Sequence, residues 1–346
     1  MSEHRPDQRE TLKRTGLDQN SFFFIQESAT TRDVPFKGEI LEFSTQLTLG
    51  QALHSLADHG VLSAPVWDEE SKRYLGFVDV FDLMTLAVGV DVLMHILPDS
   101  LLKKPRGGDD LRFEKEMTLG EMMQDQPENG FNPWCPVEEG CKFKDVVRLL
   151  ASRARRVPVL SKTSGRVIQI ISQSQVCQLL YERVKAGNVL NDTTPGMSGM
   201  GLKEVFCVKE SAQARDAFQL MVDKRVSSVC VLDDEGEILT AISTKDIRLL
   251  PRLESAGLAR NNLLDMNVRE FVGLVRRITE IDGKSRAACV TVELNTPLAT
   301  VLGKLAATKM HRVYVIDPHR RPVGVVSVSD VVVALAQLQP PSALQA

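Results

Sequence analysis

The chain has 346 residues, 43% of them hydrophobic and 25% charged, with a formal net charge of −3. That size and balance describe a globular chain with room for two domains of ordinary size. The small negative charge argues against general nucleic-acid binding, which needs concentrated positive charge, and no stretch is long and apolar enough for membrane insertion.

Aromatic residues are only 5% of the chain, so Leu, Val, Ile and Ala must fill its cores. The polar start, Met1 to Asn20, has no apolar signal-peptide core. The short run Phe22-Phe23-Phe24-Ile25 is expected to dock on the chain's own surface or on a neighbour. Six cysteines lack metal spacing, and the nearest pair, Cys135 and Cys141, has no companion histidine. Cys177, Cys207, Cys230 and Cys289 sit in apolar runs and are expected to be buried thiols. Reduced thiols without a signal point to the cytosol or nucleus.

The first unit begins near Val34. Leu49, Leu53, Leu56 and Ala57 share a helical face within Leu47–Ala57. Strand Ser63–Trp67, the turn Asp68–Lys72, strand Tyr74–Val80 and a helical run from Asp82 to Leu97 follow. Pro98 to Glu116 is polar, with Pro105, Gly107 and Gly108, and predicts a loop or linker. The second unit opens at Met117–Met123 and an extended Phe131–Val137. It continues with helix Lys144–Ser152, strands Val157–Leu160 and Val167–Ile171, and a helix through Val184. Asn188 to Gly201 is rich in Gly and Pro and predicts a module boundary.

The third unit repeats the order: helix Ala212–Asp223, strands Ser227–Leu232 and Ile238–Ile242, helix Asp246–Leu250. The fourth runs from about Val268, with strand Ala288–Val292, helix Leu298–Thr308, strands Arg312–Ile316 and Val323–Val326, and helix Asp330–Leu338. Counting back sixteen or seventeen residues from Asp82, Gln175, Asp246 and Asp330 reaches Pro65, Pro158, Val229 and Tyr314, each inside an apolar strand. A shared period of this kind marks an array of one supersecondary unit. The fold class is α+β, with repeats at about 35–97, 117–187, 202–255 and 268–340. A single repeat buries too little surface to be stable alone. Taken in sequence order, the repeats make two modules, 21–187 and 202–340, around a linker at 188–201.

Chemistry concentrates at the strand ends. Ser243 and Asp246 are three apart, as are Ser327 and Asp330. Such residues cap helix starts in any α/β protein, and here they recur beside basic clusters. Those clusters read Arg153-Ala154-Arg155-Arg156, Lys224-Arg225 and Lys309-Met310-His311-Arg312, while the first repeat has the nearly neutral His59–Ser63. Arginine forks suit phosphate oxygens and an Asp carboxylate suits a ribose diol, so a nucleotide and plain solvated charge are both open readings. No phosphate loop, dinucleotide fingerprint or nucleophile elbow is present. The six histidines are scattered, and Asp79 with Asp82 occupies the cap position of the repeat. Neither metal nor catalysis is expected.

Certain stretches have a family character: Ala64-Pro65-Val66-Trp67-Asp68, Lys224-Arg225-Val226-Ser227-Ser228, Asn261-Asn262-Leu263, His311 to Asp317 and Gly324 to Asp330. They resemble the cystathionine-beta-synthase (CBS) domain, and the four-repeat layout resembles the gamma subunit of AMP-activated protein kinase and plant-type relatives. The resemblance covers about residues 35–340. It implies two tandem CBS-pair (Bateman) modules in a disc, no catalytic activity, and AMP, ADP or ATP as regulatory ligand without a metal. It assigns phosphate contacts to Arg155, Arg156, His311 and Arg312. Asp82, Asp246 and Asp330 become ribose ligands, helped by Ser227, Ser327 and Ser329.

Departures from the family stand at Leu62, Ser174 and Gln175, where cations are missing, and at Asp79, an added carboxylate. They favour a ligand between repeats three and four over one in the first module. They also keep open a scaffold whose sites have decayed. Implied partners are kinase alpha and beta subunits, with self-association as the alternative.

Overall fold

The computed structural model describes residues 28–36, 38–86, 117–124, 132–152, 154–187, 190–198, 200, 203–255, 260–281 and 289–337. The run Phe22–Ile25, the loop Pro98–Glu116 and the end of the helical run Asp82–Leu97 lie outside them.

The secondary structure is α+β, as its period predicts. Among the described residues, four three-stranded sheets have the orders β1-β2-β3, β4-β5-β6, β7-β8-β9 and β10-β11-β12. Their strands are β1 Phe43–Ser44, β2 Ser63–Asp68, β3 Arg73–Asp79, β4 Val137–Glu138, β5 Arg156–Leu160, β6 Val167–Ser172, β7 Cys207–Lys209, β8 Ser228–Leu232, β9 Ile238–Ser243, β10 Thr291–Val292, β11 Arg312–Ile316 and β12 Pro322–Ser327. In each sheet the first strand runs parallel to the second and the second antiparallel to the third. A parallel pair needs a crossover, supplied by helices Leu49–Asp58, Phe143–Ser152, Ala214–Asp223 and Leu298–Thr308. The antiparallel pair closes through a short turn holding one left-handed residue, Gly165 or Gly236 where glycine is present and Lys72 or Arg320 where it is not. All four ladders shift register at one corresponding place, Val66/Trp67, Val159/Leu160, Val231/Leu232 and Val315/Ile316.

The leading segment of each repeat is exchanged. Residues near Thr30, placed at the door of the first repeat by sequence order, bind the second: Thr31 N donates to Cys141 O (2.9 Å) and Phe143 N to Ala29 O (2.8 Å). The helix Leu119–Gln124 in turn completes the first repeat, with Leu49 N on Met117 O (3.1 Å) and Leu119 N on Leu47 O (2.8 Å). Its Met123 lies so close to Gly76 that a Cβ there would meet the methionine methyl at 2.8 Å.

The same exchange recurs downstream. Leu298 N donates to Thr193 O (2.6 Å), so residues 190–198 of the expected linker belong to the fourth repeat, where Leu190 and Thr193 are buried. Helix Val268–Ile281, where the sequence reading only starts the fourth repeat and places no helix, packs on the third, since Ala214 N donates to Met266 O (2.9 Å) and Val268 N to Ala212 O (2.8 Å).

The contacts resolve two compact units, one of Met1–Ile40, Cys135–Val205 and Ala287–Ala346, the other of Leu41–Trp134 and Phe206–Arg286. Each joins alternate repeats, the first unit two and four, the second one and three, whereas sequence order groups consecutive ones. Helix faces account for this. In the first unit Val328–Gln337 lies on Phe143–Ser152 and Leu298–Thr308 on Gln173–Gly187, burying Val147, Leu150, Val301 and Val332 together. Gly303 permits that approach, since a Cβ would meet the Tyr181 ring at 3.1 Å. In the second unit Leu250–Ser255 lies on Leu49–Asp58, and Leu56, Phe218, Ile242 and Phe271 share one core.

Cys177 and Cys230 are buried as expected, but Cys207 and Cys289 are only half-buried. Burial pushes the Cys177 thiol up to about 12. The thiol of Cys207 is lowered by a hydrogen bond with Cys230, its partner across β7 and β8. Among the described residues no group of His, Cys, Asp or Glu suits a metal ion, and no helix is long and apolar enough to cross a membrane.

Phe271 is fully buried and meets the Phe218 ring edge-on at 5.6 Å. Phe271→Ala is expected to destabilise the protein by about 3–5 kcal/mol. Ile168→Ala, on an exposed strand position, should stay within about 0.5 kcal/mol in the same urea titration.

Candidate functional site

All four sheets end alike. Ser63, Arg156, Ser228 and Arg312 open the middle strands opposite Asp79, Ser172, Ser243 and Ser327. One residue further out, Val80 N donates to Leu62 O (2.9 Å), Gln173 N to Arg155 O (3.0 Å), Thr244 N to Ser227 O (3.1 Å) and Val328 N to His311 O (2.9 Å). These bonds fix the correspondence of the repeats. They also correct one sequence alignment: Cys230, not Val229, matches Pro65, Pro158 and Tyr314, because Cys230 pairs with Ala241 as Pro65 pairs with Phe77.

The candidate ribose carboxylates each close a helix start. Asp246 Oδ2 accepts from Ser243 N (2.7 Å) and Oγ (3.0 Å). Asp330 Oδ2 accepts from Ser327 N (2.8 Å) and Oγ (2.7 Å), and Ser327 Oγ accepts from Asp330 N (3.3 Å). In the first repeat Asp82 Oδ2 accepts from Asp79 N (3.1 Å) while Asp79 Oδ1 takes Phe81 N (2.9 Å). Capping is thus the first task of these side chains, since helix-start amides have no intrahelical acceptor. The second repeat keeps only half of it, with Ser172 Oγ accepting Gln175 N (3.2 Å). The Gln175 amide, standing where the other repeats have Asp, instead donates to Pro35 O (2.6 Å), and Gln169 donates to Val34 O (2.9 Å).

The first compact unit brings together most of the candidate residues. Arg155 O holds Gln173 N, His311 O holds Val328 N, and Ser329 Oγ donates to Gln173 Oε1 (2.8 Å) across the two repeats. Arg155, Arg156, His311, Arg312, Ser327, Ser329 and Asp330 therefore belong to one hydrogen-bonded set of strand ends. Asp330 Oδ1 is paired with the Lys203 ammonium. The second unit holds Asp82, Ser227 and Asp246, with Asp82 and Asp246 both buried. At its matching register positions stand Leu62, Ser63, Ser227 and Ser228, which carry no charge.

The CBS-domain family model matches residues 201–251 and 279–337. Those two stretches match a CBS domain, and the other two repeats share their strand order, register and end bonds. The chain is 24% identical over 318 residues to 5'-AMP-activated protein kinase subunit gamma-3 of Sus scrofa, covering 90% of this chain and 57% of that protein. It is 22% identical over 312 residues to the gamma subunit of Saccharomyces cerevisiae, covering 88% and 89%. Protein sds23 of Neosartorya fischeri is 26% identical over 262 residues, covering 72% of this chain and 46% of that one. Thus the chain spans less than two thirds of the animal gamma-3 relatives it matches. A solved Methanocaldococcus jannaschii protein, described as an archaeal homolog of γ-AMPK, shares the fold at a TM-score of 0.66 and 12% identity, covering 88% of this chain and 99% of that one.

Two residues of the CBS repeat ends escape sequence reasoning. Gln173 bridges repeats, donating also to Leu150 O (2.8 Å); its signal is a polar residue where two other repeats have Val80 and Val328. Lys203 has no such signal, because it precedes the periodic part of its repeat. Asp82→Ala is expected to lower unfolding stability by about 1 kcal/mol through loss of the cap. Circular dichroism with a urea gradient checks this, and an unchanged midpoint would remove the capping role.

Proposed function

We propose that this chain is a non-catalytic regulatory protein that binds an adenine nucleotide, AMP, ADP or ATP, at the ends of its CBS repeats and passes the energy state to a partner. The observation that carries this reading is the single set of strand ends in the first unit. Four basic residues, Arg155, Arg156, His311 and Arg312, share it with Ser327, Ser329 and Asp330. Phosphate oxygens suit the guanidinium groups and a ribose diol suits the carboxylate. The likeness to gamma subunits of AMP-activated protein kinase supports the same assignment. Asp246 with Ser227 forms a second, cation-poor position, and Asp82 a third, weakened by Leu62 and the Asp79 carboxylate.

A charge-assisted contact to phosphate is worth about 1.5–3 kcal/mol. Arg312→Ala is therefore expected to weaken AMP binding by about ten- to a hundredfold. Asp82→Ala should leave it unchanged. Titration calorimetry with AMP, ADP and ATP on the full chain measures both, and equal AMP affinities for wild type and Arg312→Ala would refute the placement.

A second reading, a scaffold with decayed sites, has its own support. The first repeat carries Leu62 and Ser63 at both cation positions, and Gln175 is tied to Pro35. The two readings imply different company in the cytosol or nucleus. Tagged purification from the source cell is expected to recover kinase alpha and beta subunits under the regulatory reading. Recovery of the chain with itself alone would instead favour the self-associating scaffold.

A further inference from the structure

We propose that Lys203 makes the repeat-four site select phosphate-bearing nucleotides over neutral nucleosides, an inference that rests on the reading of Asp330 as a ribose ligand. The Asp330 carboxylate is already well used. Its Oδ2 accepts both Ser327 N and Ser327 Oγ, and its Oδ1 is ion-paired with the Lys203 ammonium. An ionised carboxylate offers about four acceptor directions, and three are taken. A ribose diol presents two donors, so it fits only when Lys203 releases Oδ1.

Release is easy in itself. The Lys203 side chain is 64% exposed against 10% for Asp330, and a pair with one exposed partner holds weakly. What matters is where the freed ammonium is left. It stands beside Asp330, whose partner Ser327 faces Arg312 across the ladder, with His311 immediately before that strand. A neutral nucleoside breaks the ion pair and returns nothing to the ammonium. A nucleotide supplies phosphate oxygens, and a charge-assisted contact replaces the one lost. Lys203 lies outside the period that defines the repeats, in the segment preceding β7, so this discrimination is a property of this chain's own exchanged segment.

The test is titration calorimetry of the full chain with AMP and with adenosine. Four proteins are compared: wild type, Lys203→Met, Lys203→Arg, and Lys162→Met as a control at an exposed turn lysine. Lys203→Met should lower the ratio of AMP to adenosine affinity by about five- to tenfold, with adenosine binding tighter and AMP weaker. The charge-preserving Lys203→Arg and the control should keep the ratio within about twofold. If Lys203→Met binds AMP with the wild-type ratio, or tightens both ligands equally, the selectivity role is overturned while nucleotide binding stands. If wild type binds neither ligand, this inference and the reading beneath it fall together.

Discussion

The antiparallel ladder between the middle and last strand of each repeat is the constraint on which the remainder depends. Its register shift recurs at one corresponding place in all four sheets, so the far end of every ladder arrives in the same phase. One further backbone bond, from Val80, Gln173, Thr244 or Val328, then turns the chain into the following helix. Side chains at these ends are consequently held on ladder positions and not on free loops. This is how the scaffold can present arginine in one repeat and leucine in another without altering the backbone that carries them.

Capping already occupies the carboxylates proposed to meet a ligand. Asp246 and Asp330 use Oδ2 to satisfy amides at a helix start, which would need an acceptor whether or not any nucleotide were bound. The presence of Asp in a repeat is therefore a poor guide to binding, and the register partner of the preceding strand is a better one. By that measure repeat four, with Arg312, differs from repeat three, with Ser228, although their caps are alike.

Much of the fold was legible because alternation and helical spacing are local. Every repeat's hairpin and crossover helix lay where apolar periodicity placed it. What escapes is non-local or turns on hairpin length. Counting seventeen residues back from Asp246 reaches Val229 because the hairpin of the third repeat is one residue shorter than those of the first two. Helix Val268–Ile281 was overlooked, although Val268, Phe271, Val272 and Val275 stand on one helical face. Its partner Ala212 lies far away in sequence, and no periodicity reports which repeat a helix will join. At the candidate site, Arg155, Arg156, His311 and Arg312 were readable as clusters, while the Gln173–Ser329 bond and the Lys203–Asp330 pair depend on tertiary placement.

The exchange of leading segments bears on how the chain is made. On a ribosome, residues near Thr30 emerge early, yet their acceptor Cys141 and the amide of Phe143 follow only after more than a hundred residues. The first repeat must likewise wait for Leu119 before the carbonyl of Leu47 is satisfied. Contacts of such sequence separation slow folding, because a long loop closes before any of them forms. A nascent first repeat would therefore leave Leu56 uncovered until Phe218 and Phe271 of the third repeat, with which it shares a core, have been synthesised. That interval outlasts synthesis of the whole second repeat, and exposed apolar surface of this kind is prone to wrong association.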